Sequence, residues 1–309
     1  MTPMPHEDPA QQQKVHPPQK MSPWQVIKNT FNSFLEDEAM RQAAAVAYYA
    51  ALALAPLLIM VVLILGWFYS DAAAQGRLVD QFQGYVGEAG AEIARQVATN
   101  AAQATGGGWA AVISIGILVF AATSLFAQLQ IALNRIWNVK AAPGNTLMTF
   151  LRKRLLSLGM ILCVGFLLLI SMIASTAIKS IVGGGESLTG WSLGWLWQTL
   201  TILVQAVVFF GLFAAMFRYL PDVIIRWNET LIGAAVTAGL FIAGQQLLSL
   251  YLSTASVGSA YGAAGSLVAV LVWVYYTVII VLLGAEFTQV LARRAGHRIE
   301  PAPHAIADA

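Results

Sequence analysis

The sequence predicts an all-α integral membrane protein built as a bundle of six transmembrane helices. Six apolar runs are each at least about 20 residues long, which is enough helix to cross a hydrocarbon core of about 30 Å. Hydrophobic residues make up 58% of the 309-residue chain and charged residues only 10%, whereas a soluble domain carries about 25% charge. The runs cover residues 43–68, 109–133, 155–181, 196–219, 231–252 and 266–290, which together define a membrane domain over 42–290.

Positive charge is distributed unevenly over the segments that flank and connect these runs. When Lys179 and Arg218 are counted with the segments that adjoin their run ends, alternate segments from the N terminus hold 14 of the 17 Lys and Arg residues, and the other segments hold 3. Because cytoplasmic segments keep the excess of Lys and Arg, we expect six spans with both termini in the cytoplasm. The net charge of +2 is the small excess of these Lys and Arg residues over the scattered Asp and Glu residues, so no nucleic-acid partner is expected.

The N-terminal region divides into a tail and an amphipathic helix. Residues 1–22 are rich in Pro, Gln and Lys and are expected to be disordered, and residues 23–41 are predicted to be helical. Ser22, Pro23 and Gln25 form the pattern of a helix start with a capping box. The helix either lies on the cytoplasmic membrane surface or packs against the inner end of the bundle. Its apolar residues are Trp24, Ile27, Phe31, Phe34 and Leu35.

Two outward loops and the C-terminal tail differ from plain connectors. Between spans 1 and 2, residues 69–108 have apolar positions at spacings of three and four, which predicts a helical extracytoplasmic loop. That loop either covers a cavity or is only a structured connector. Residues 253–265 carry no charge, so this loop either packs among helices or lines a wet cavity. Residues 291–309 are basic and then rich in Pro and Ala, and are expected to fray as a cytoplasmic tail.

Polar side chains within the runs have both structural and functional interpretations. Glu286 lies near the cytoplasmic end of its span, at the level predicted for Arg135 and Arg218. An ion pair with either arginine would lock the helix ends, and the alternatives are a gate or proton-linked group and a solvated end. Amides deeper in the spans, such as Gln130 and Gln245, either hydrogen-bond between helices or mark a polar pathway.

The chain lacks the usual patterns of soluble catalytic sites. No Gly-x-x-x-x-Gly-Lys-Ser/Thr loop is present, so we expect no ATPase activity of its own. All four histidines fall in the two predicted tails, and the carboxylates are dispersed, so neither a metal nor a cofactor is expected. The single cysteine, Cys163, allows no internal disulfide. The sequence therefore predicts no catalytic residues and no enzyme.

Several short strings along the chain are informative when taken together. They are residues 43–49 leading to Pro56, residues 132–137, residues 220–222, residues 259–266, and residues 273–276 with 284–287. Jointly they resemble the YihY/virulence factor BrkB family of bacterial inner-membrane proteins, over about residues 25–292. The resemblance implies six spans and a location in the bacterial inner membrane. The family has carried a virulence label and an older ribonuclease BN label.

The family's serum-resistance and envelope associations imply a role in handling lipids or envelope components. The expected function is to move, or help to move, a lipid or other amphiphile across the membrane without an ATPase. Membrane lipids are the expected partners, with envelope proteins or a second copy of the chain as further candidates. The alternatives are a non-transporting scaffold or assembly factor, a channel, and the ribonuclease of the old label. The candidate functional positions are Tyr48, Tyr49, Pro56, Asn134, Arg135, Trp137, Pro221, Asp222, Tyr261, Gly262, Gly265 and Glu286.

Overall fold

The computed structural model describes residues 21–66, 109–142, 194–254, 265–296 and 299–308, with isolated positions between 76 and 99 and Gly159. Within these ranges the chain is mostly helical, with four short strands. The helices are α1 (Pro23–Glu36), α2 (Ala39–Gly66), α3 (Trp109–Ile136), α4 (Gly194–Tyr219), α5 (Trp227–Thr254) and α6 (Gly265–Arg294). The strands are β1 (Val139–Ala141), β2 (Val223–Ile224), β3 (Glu300–Pro301) and β4 (Ala305–Ala307).

Helices α2 to α6 coincide with five of the six apolar runs, and the third run lies outside the described residues apart from Gly159. Within the described residues, three helical segments have the length and apolar composition needed to cross a membrane: Thr199–Tyr219, Trp227–Leu248 and Leu267–Arg294. Large apolar side chains on these helices remain exposed; Leu247, for example, is 68% exposed. A helix that is apolar on its outer face is suited to lipid rather than to water.

Helix α1 begins with the capping box that the sequence predicts. The Ser22 Oγ accepts a hydrogen bond from the Gln25 amide at 3.3 Å, and the Ser22 amide donates to Gln25 Oε1 at 2.7 Å. The helix ends at Glu36, so the predicted helix over 23–41 is divided in two. The division follows from Glu38, whose φ of 52° lies in the left-handed region and cannot continue an α-helix.

Helix α1 has two apolar faces. Val26 and Phe34 are buried, and α1 packs against α6. The other apolar residues predicted for this helix are exposed, namely Trp24, Ile27, Phe31 and Leu35. The helix therefore packs against the bundle on one side and presents a separate apolar face outward.

Helices α5 and α6 approach closely because small residues face hydroxyl side chains. A Cβ on Gly284 would lie 1.9 Å from Thr237 Oγ1, and a Cβ on Gly233 would lie 1.8 Å from Thr288 Oγ1. Both hydroxyls donate to backbone carbonyl oxygens four residues earlier in their own helices, at 2.7 Å. The glycines thus let the helix backbones come together, in the manner of tightly packed membrane helices.

An aromatic cluster joins α4 to α5. The rings of Phe209 and Phe241 meet edge to face with centroids 4.6 Å apart, and Phe213 contacts Phe241 at 5.7 Å. Both arrangements are the favoured geometry for aromatic pairs. This cluster belongs to the hydrophobic core that also includes residues of α2, α3 and α6.

The C-terminal segment differs from the predicted frayed tail, because its two short strands pair with two short strands that follow α3 and α4 in an otherwise helical chain. Strand β4 pairs antiparallel with β1, and β3 pairs antiparallel with β2. Further backbone bonds link Ala302 to Asp222 at 2.9 Å and Asp308 to Asn138 at 2.8 Å. Backbone hydrogen bonds hold this segment in place, and every residue except proline can donate one. A sequence pattern reveals apolar side chains rather than backbone pairing, so the order of this segment was not predicted.

The ends of five helices, α2 to α6, meet at one end of the bundle. The Gln289 side chain of α6 donates to the backbone carbonyl of Ile136 at the end of α3. The turn between α1 and α2 is joined to α3 through Arg135, and Asp222, just after α4, bonds to residues of α3. We call this region, with the start of α5 and the four strands, the polar end.

Candidate functional site

Asp222 is the centre of a buried polar cluster at the polar end. It lies in the short segment between α4 and β2 and is 4% exposed. Its carboxylate accepts hydrogen bonds from Gln130 Nε2 at 2.9 Å and Asn134 Nδ2 at 2.8 Å, both on α3. The Asn134 Oδ1 in turn accepts from the Asp222 amide at 2.8 Å. The two-way bond between Asn134 and Asp222 therefore fixes the chain leaving α4 against α3.

His304 completes this cluster from the C-terminal segment. Its Nε2 lies 2.9 Å from Asp222 Oδ1, and the side chain is 20% exposed. A buried carboxylate is stabilised by such donors, since each replaces a bond to water. The cluster thus holds three parts of the chain together: α3, the segment after α4, and the segment between β3 and β4.

A second polar cluster surrounds the turn between α1 and α2. Arg135 Nε donates to the backbone carbonyl of Asp37 at 3.0 Å, and its guanidinium lies 3.5 Å from Glu38 Oε2. Glu38 also forms an ion pair with Arg41. These pairs are partly exposed, so each contributes little to stability alone. Together they hold the left-handed turn against the end of α3.

Glu286 lies beneath this turn, on α6. The side chain is wholly buried, and neither carboxyl oxygen has a hydrogen-bond donor among the described residues. It meets the side chain of Asp37, which is half-buried. Burial raises the pKa of Asp37 above its ordinary value, while contact with Glu286 and the charges of Arg135 and Arg293 oppose the rise.

The predicted ion pair of Glu286 with Arg135 or Arg218 is wrong. Arg135 points to Glu38 and to the Asp37 backbone instead. The Arg218 guanidinium lies over the Trp227 ring, 5.3 Å from its centroid, in a cation–π contact. Both arginines do reach the end of the bundle where Glu286 lies, but each interacts with another partner there.

A cavity of about 310 Å³ opens at the same end of the molecule. Its wall combines apolar groups of Trp137, Ile225 and Ala292 with the charged side chains of Arg226 and Glu229. Ile224, Gly296, Ile299 and Glu300 complete the lining, so β2 and β3 form part of the wall. The lining thus offers apolar and charged groups side by side, with three charged residues among the nine.

The structure brings together some of the positions predicted from the sequence and separates others. Asn134 and Asp222 are bonded to each other, Trp137 lines the cavity, and Pro221 is buried beside Asp222. Arg135 and Glu286 belong to the cluster at the α1–α2 turn.

The remaining predicted positions lie elsewhere. Tyr48 and Tyr49 are exposed on α2, with their rings in edge contact at 5.7 Å. Pro56 lies within α2, and Gly265 is the first residue of α6. Tyr261 and Gly262 lie outside the described residues, as does most of the loop over 69–108.

Three functional candidates, His304, Asp37 and Glu229, were not predicted from the sequence. His304 lies in a Pro/Ala-rich segment without periodicity, which contains no sign of order. Asp37 is the middle one of three consecutive acidic residues, a composition typical of a solvated surface. No group of three potential metal ligands occurs within the described ranges.

The sequence pattern of the family described as virulence factor BrkB matches residues 30–308, nearly all of the chain. Relatives with similar sequences include a UPF0761 membrane protein of Photobacterium profundum, 29% identical over 82% of this chain and 76% of its own length. Another from Vibrio campbellii is 29% identical over 84% of this chain and 79% of its own length.

A UPF0761 membrane protein of Azotobacter vinelandii is 28% identical over 89% of this chain, which spans 65% of that longer relative. No solved structure matches the chain. The apolar helices with lipid-suited outer faces agree with the membrane location that the names of these relatives state. The chain is a membrane protein and belongs to the virulence factor BrkB family.

Proposed function

We propose that this protein is a six-span protein of the bacterial inner membrane that moves, or helps to move, a lipid or other amphiphile across it. It would do so without an ATPase of its own. The observation that carries the proposal is the cavity at the polar end, which offers apolar and charged groups to one ligand.

The proposed topology is supported by the directions of the described helices. Helices α3, α4 and α6 end at the polar end, and α2 and α5 begin there. With the third apolar run as a sixth span, the chain would alternate direction without exception. The excess of Lys and Arg in the segments on this side supports a cytoplasmic location for the polar end and for both termini.

The cavity chemistry suits a molecule with a polar and an apolar part. Arg226 can meet an anionic group, Glu229 and Glu300 can meet a cationic group, and the isoleucines beside them can meet alkyl groups. Arg226 lies just before α5 and Glu229 in its first turn, so in the proposed six-span bundle both would lie at the level of lipid headgroups. A cavity with charged groups at this level would hold a headgroup that has moved out of the lipid layer.

The test is reconstitution of the purified protein in liposomes with a fluorescent lipid analogue. We expect accelerated exchange of the analogue between leaflets, measured as the fraction accessible to a membrane-impermeant quencher. Ala292→Phe should fill the cavity and reduce this rate, because Ala292 is buried in the cavity wall. Ala243→Phe is the matched control, since Ala243 is exposed on α5 and does not line the cavity.

Liposomes in which the protein leaves both lipid exchange and small-solute leakage unchanged would refute the proposal. A rate that falls equally for both alanine variants would refute the role of the cavity.

A scaffold or assembly role without transport is the second candidate, favoured by the Asp222 cluster, which links segments of the chain to one another. Under that role, Asn134→Ala should lower cellular abundance and any phenotype by the same factor. Under the transport role, Ala292→Phe should lower the phenotype at unchanged abundance. Comparing the two variants by immunoblot and phenotype separates the candidates.

A further inference from the structure

Glu286 is placed where a carboxylate is unfavourable. It is wholly buried on α6, and no N–H or O–H group among the described residues donates to either of its oxygens. The free-energy penalty for burying an ionised carboxylate without donors is several kcal/mol. A protonated carboxyl carries no such charge and has an O–H to donate. The site therefore favours the protonated form on geometry alone.

The polar group that meets Glu286 is the side chain of Asp37, in the turn between α1 and α2. Two carboxyl groups form a hydrogen bond only when one of them carries a proton, because two carboxylates have no donor between them. Like charges in such contact also repel, so that one group of the pair retains its proton.

The surrounding charges indicate which group carries it. The positive charges of Arg135 on α3 and Arg293 on α6 both favour the ionised form of Asp37, whereas Arg293 alone does so for Glu286. The negative charge of Glu36 at the end of α1 acts against ionisation of both groups. Arg41 of α2 is paired with Glu38 in the turn.

Arg135 is already occupied by Glu38 and the Asp37 backbone carbonyl. Helix α5 meets this part of α6 through Thr237, which lies against Gly284, and Gly233, which lies against Thr288. These two contacts bring only uncharged groups, so they leave the charge balance at Glu286 unaltered.

We propose that Glu286 and Asp37 form a proton-binding site at the polar end, in which the Glu286 carboxyl donates its proton to the Asp37 carboxylate. Loss of this proton would leave two anions in contact beneath the α1–α2 turn and drive the turn away from α6. Because α1 packs on α6, proton binding at this pair controls how firmly α1 is attached to the bundle. This inference goes beyond the movement of an amphiphile and does not depend on it.

The experiment uses the full chain in detergent micelles, with thermal unfolding followed across pH and with infrared spectra recorded at neutral pH. Glu286→Gln keeps the shape and the donor but cannot lose a proton. We expect it to unfold at or above the wild-type temperature at neutral pH. We expect the wild-type temperature to fall as the pH rises above neutral and that of the variant to fall less.

Glu36→Gln is the matched control, because it removes the same charge from an exposed position next to Asp37. Because Glu36 is exposed and is the weakest of the charges acting on Glu286, this variant should keep the form of the wild-type dependence on pH and shift it only slightly. In the infrared spectrum, the carbonyl stretch of a protonated carboxyl should be present in wild type and in Glu36→Gln and absent in Glu286→Gln.

Three results would overturn the inference. One is a Glu286→Gln protein that fails to fold or unfolds far below wild type, since a neutral isostere must be tolerated. Another is the same pH dependence in Glu286→Gln as in wild type. The third is an infrared spectrum in which Glu286→Gln removes no protonated-carboxyl band. Lipid movement is not measured in any of these, so failure here leaves the proposed function separately testable.

Discussion

Replacement of Asp222 by alanine should be among the most destabilising single changes at the polar end. The carboxylate accepts from two buried amides, Gln130 and Asn134, at 2.9 and 2.8 Å, and from His304 at 2.9 Å. Each buried donor left without an acceptor costs about 1–3 kcal/mol, whereas His304 is partly exposed and can bond to water. We therefore expect a loss of about 3–5 kcal/mol in the free energy of unfolding.

Two further variants make this measurement interpretable. Asp222→Asn keeps the volume and one acceptor oxygen, so its loss should be roughly half as large. Asp308→Ala breaks an ion pair with Lys140 of 2.8 Å, in which both side chains are about half exposed, and should cost less than about 1 kcal/mol. Reversible unfolding in mixed micelles, followed by circular dichroism, gives all three values. The reasoning is refuted if Asp222→Ala loses no more than Asp308→Ala.

Three further outcomes are expected from other parts of the molecule. Gly284→Ala should lower the free energy of unfolding by about 1–3 kcal/mol, since its Cβ would lie 1.9 Å from a threonine hydroxyl of α5. The control Gly239→Ala should be neutral or stabilising, because its Cβ would meet nothing within 4 Å. Equal losses in the two variants would contradict this. A spin label at Phe31, on the exposed apolar face of α1, should be more accessible to oxygen dissolved in lipid than a label at Lys28. The reverse order of accessibility would exclude membrane contact by that face. Burial raises the pKa of Asp37 above its value in the unfolded chain, so the protonated group stabilises the fold at low pH. This contribution is lost as the pH rises through the raised pKa. In Asp37→Asn, the unfolding temperature should therefore depend less on pH over that acidic range.

Five of the helices could be predicted from the sequence because each coincides with a long apolar run. Five described helices coincide with predicted runs, and the Ser22–Gln25 capping box forms as its residue pattern indicates. These signals are local: run length and cap chemistry act within a few residues.

The polar end could be predicted only in part, because its contacts join residues far apart in the chain. The sequence predicts Arg135, Arg218 and Glu286 at the same level, which agrees with the structure, yet the partners of these residues and of Asn134 were not predicted. Asn134 bonds to Asp222 across 88 positions, and Arg135 reaches the Asp37 carbonyl across 98. Depth follows from counting residues along a helix, whereas partners depend on which helices are neighbours and how each is rotated.

Strand pairing at the C-terminal segment was missed for a different reason. Strands of two or three residues have no measurable alternation, and their stability comes from backbone bonds that every residue can make. The composition of residues 299–308 therefore predicted the opposite of what the structure contains.

The position of this segment along the chain sets the order in which the protein can be assembled. Strand β1 follows the end of α3, yet β4 is synthesised only after every other described element. His304 likewise reaches back 82 positions to Asp222, which stays without this donor while the ribosome is still at work. Insertion of the helices and closure of the polar end are thus separate events in time. A nascent chain stalled before residue 299 would lie in the bilayer with the polar end open, a difference that a protease on that side of the membrane can detect.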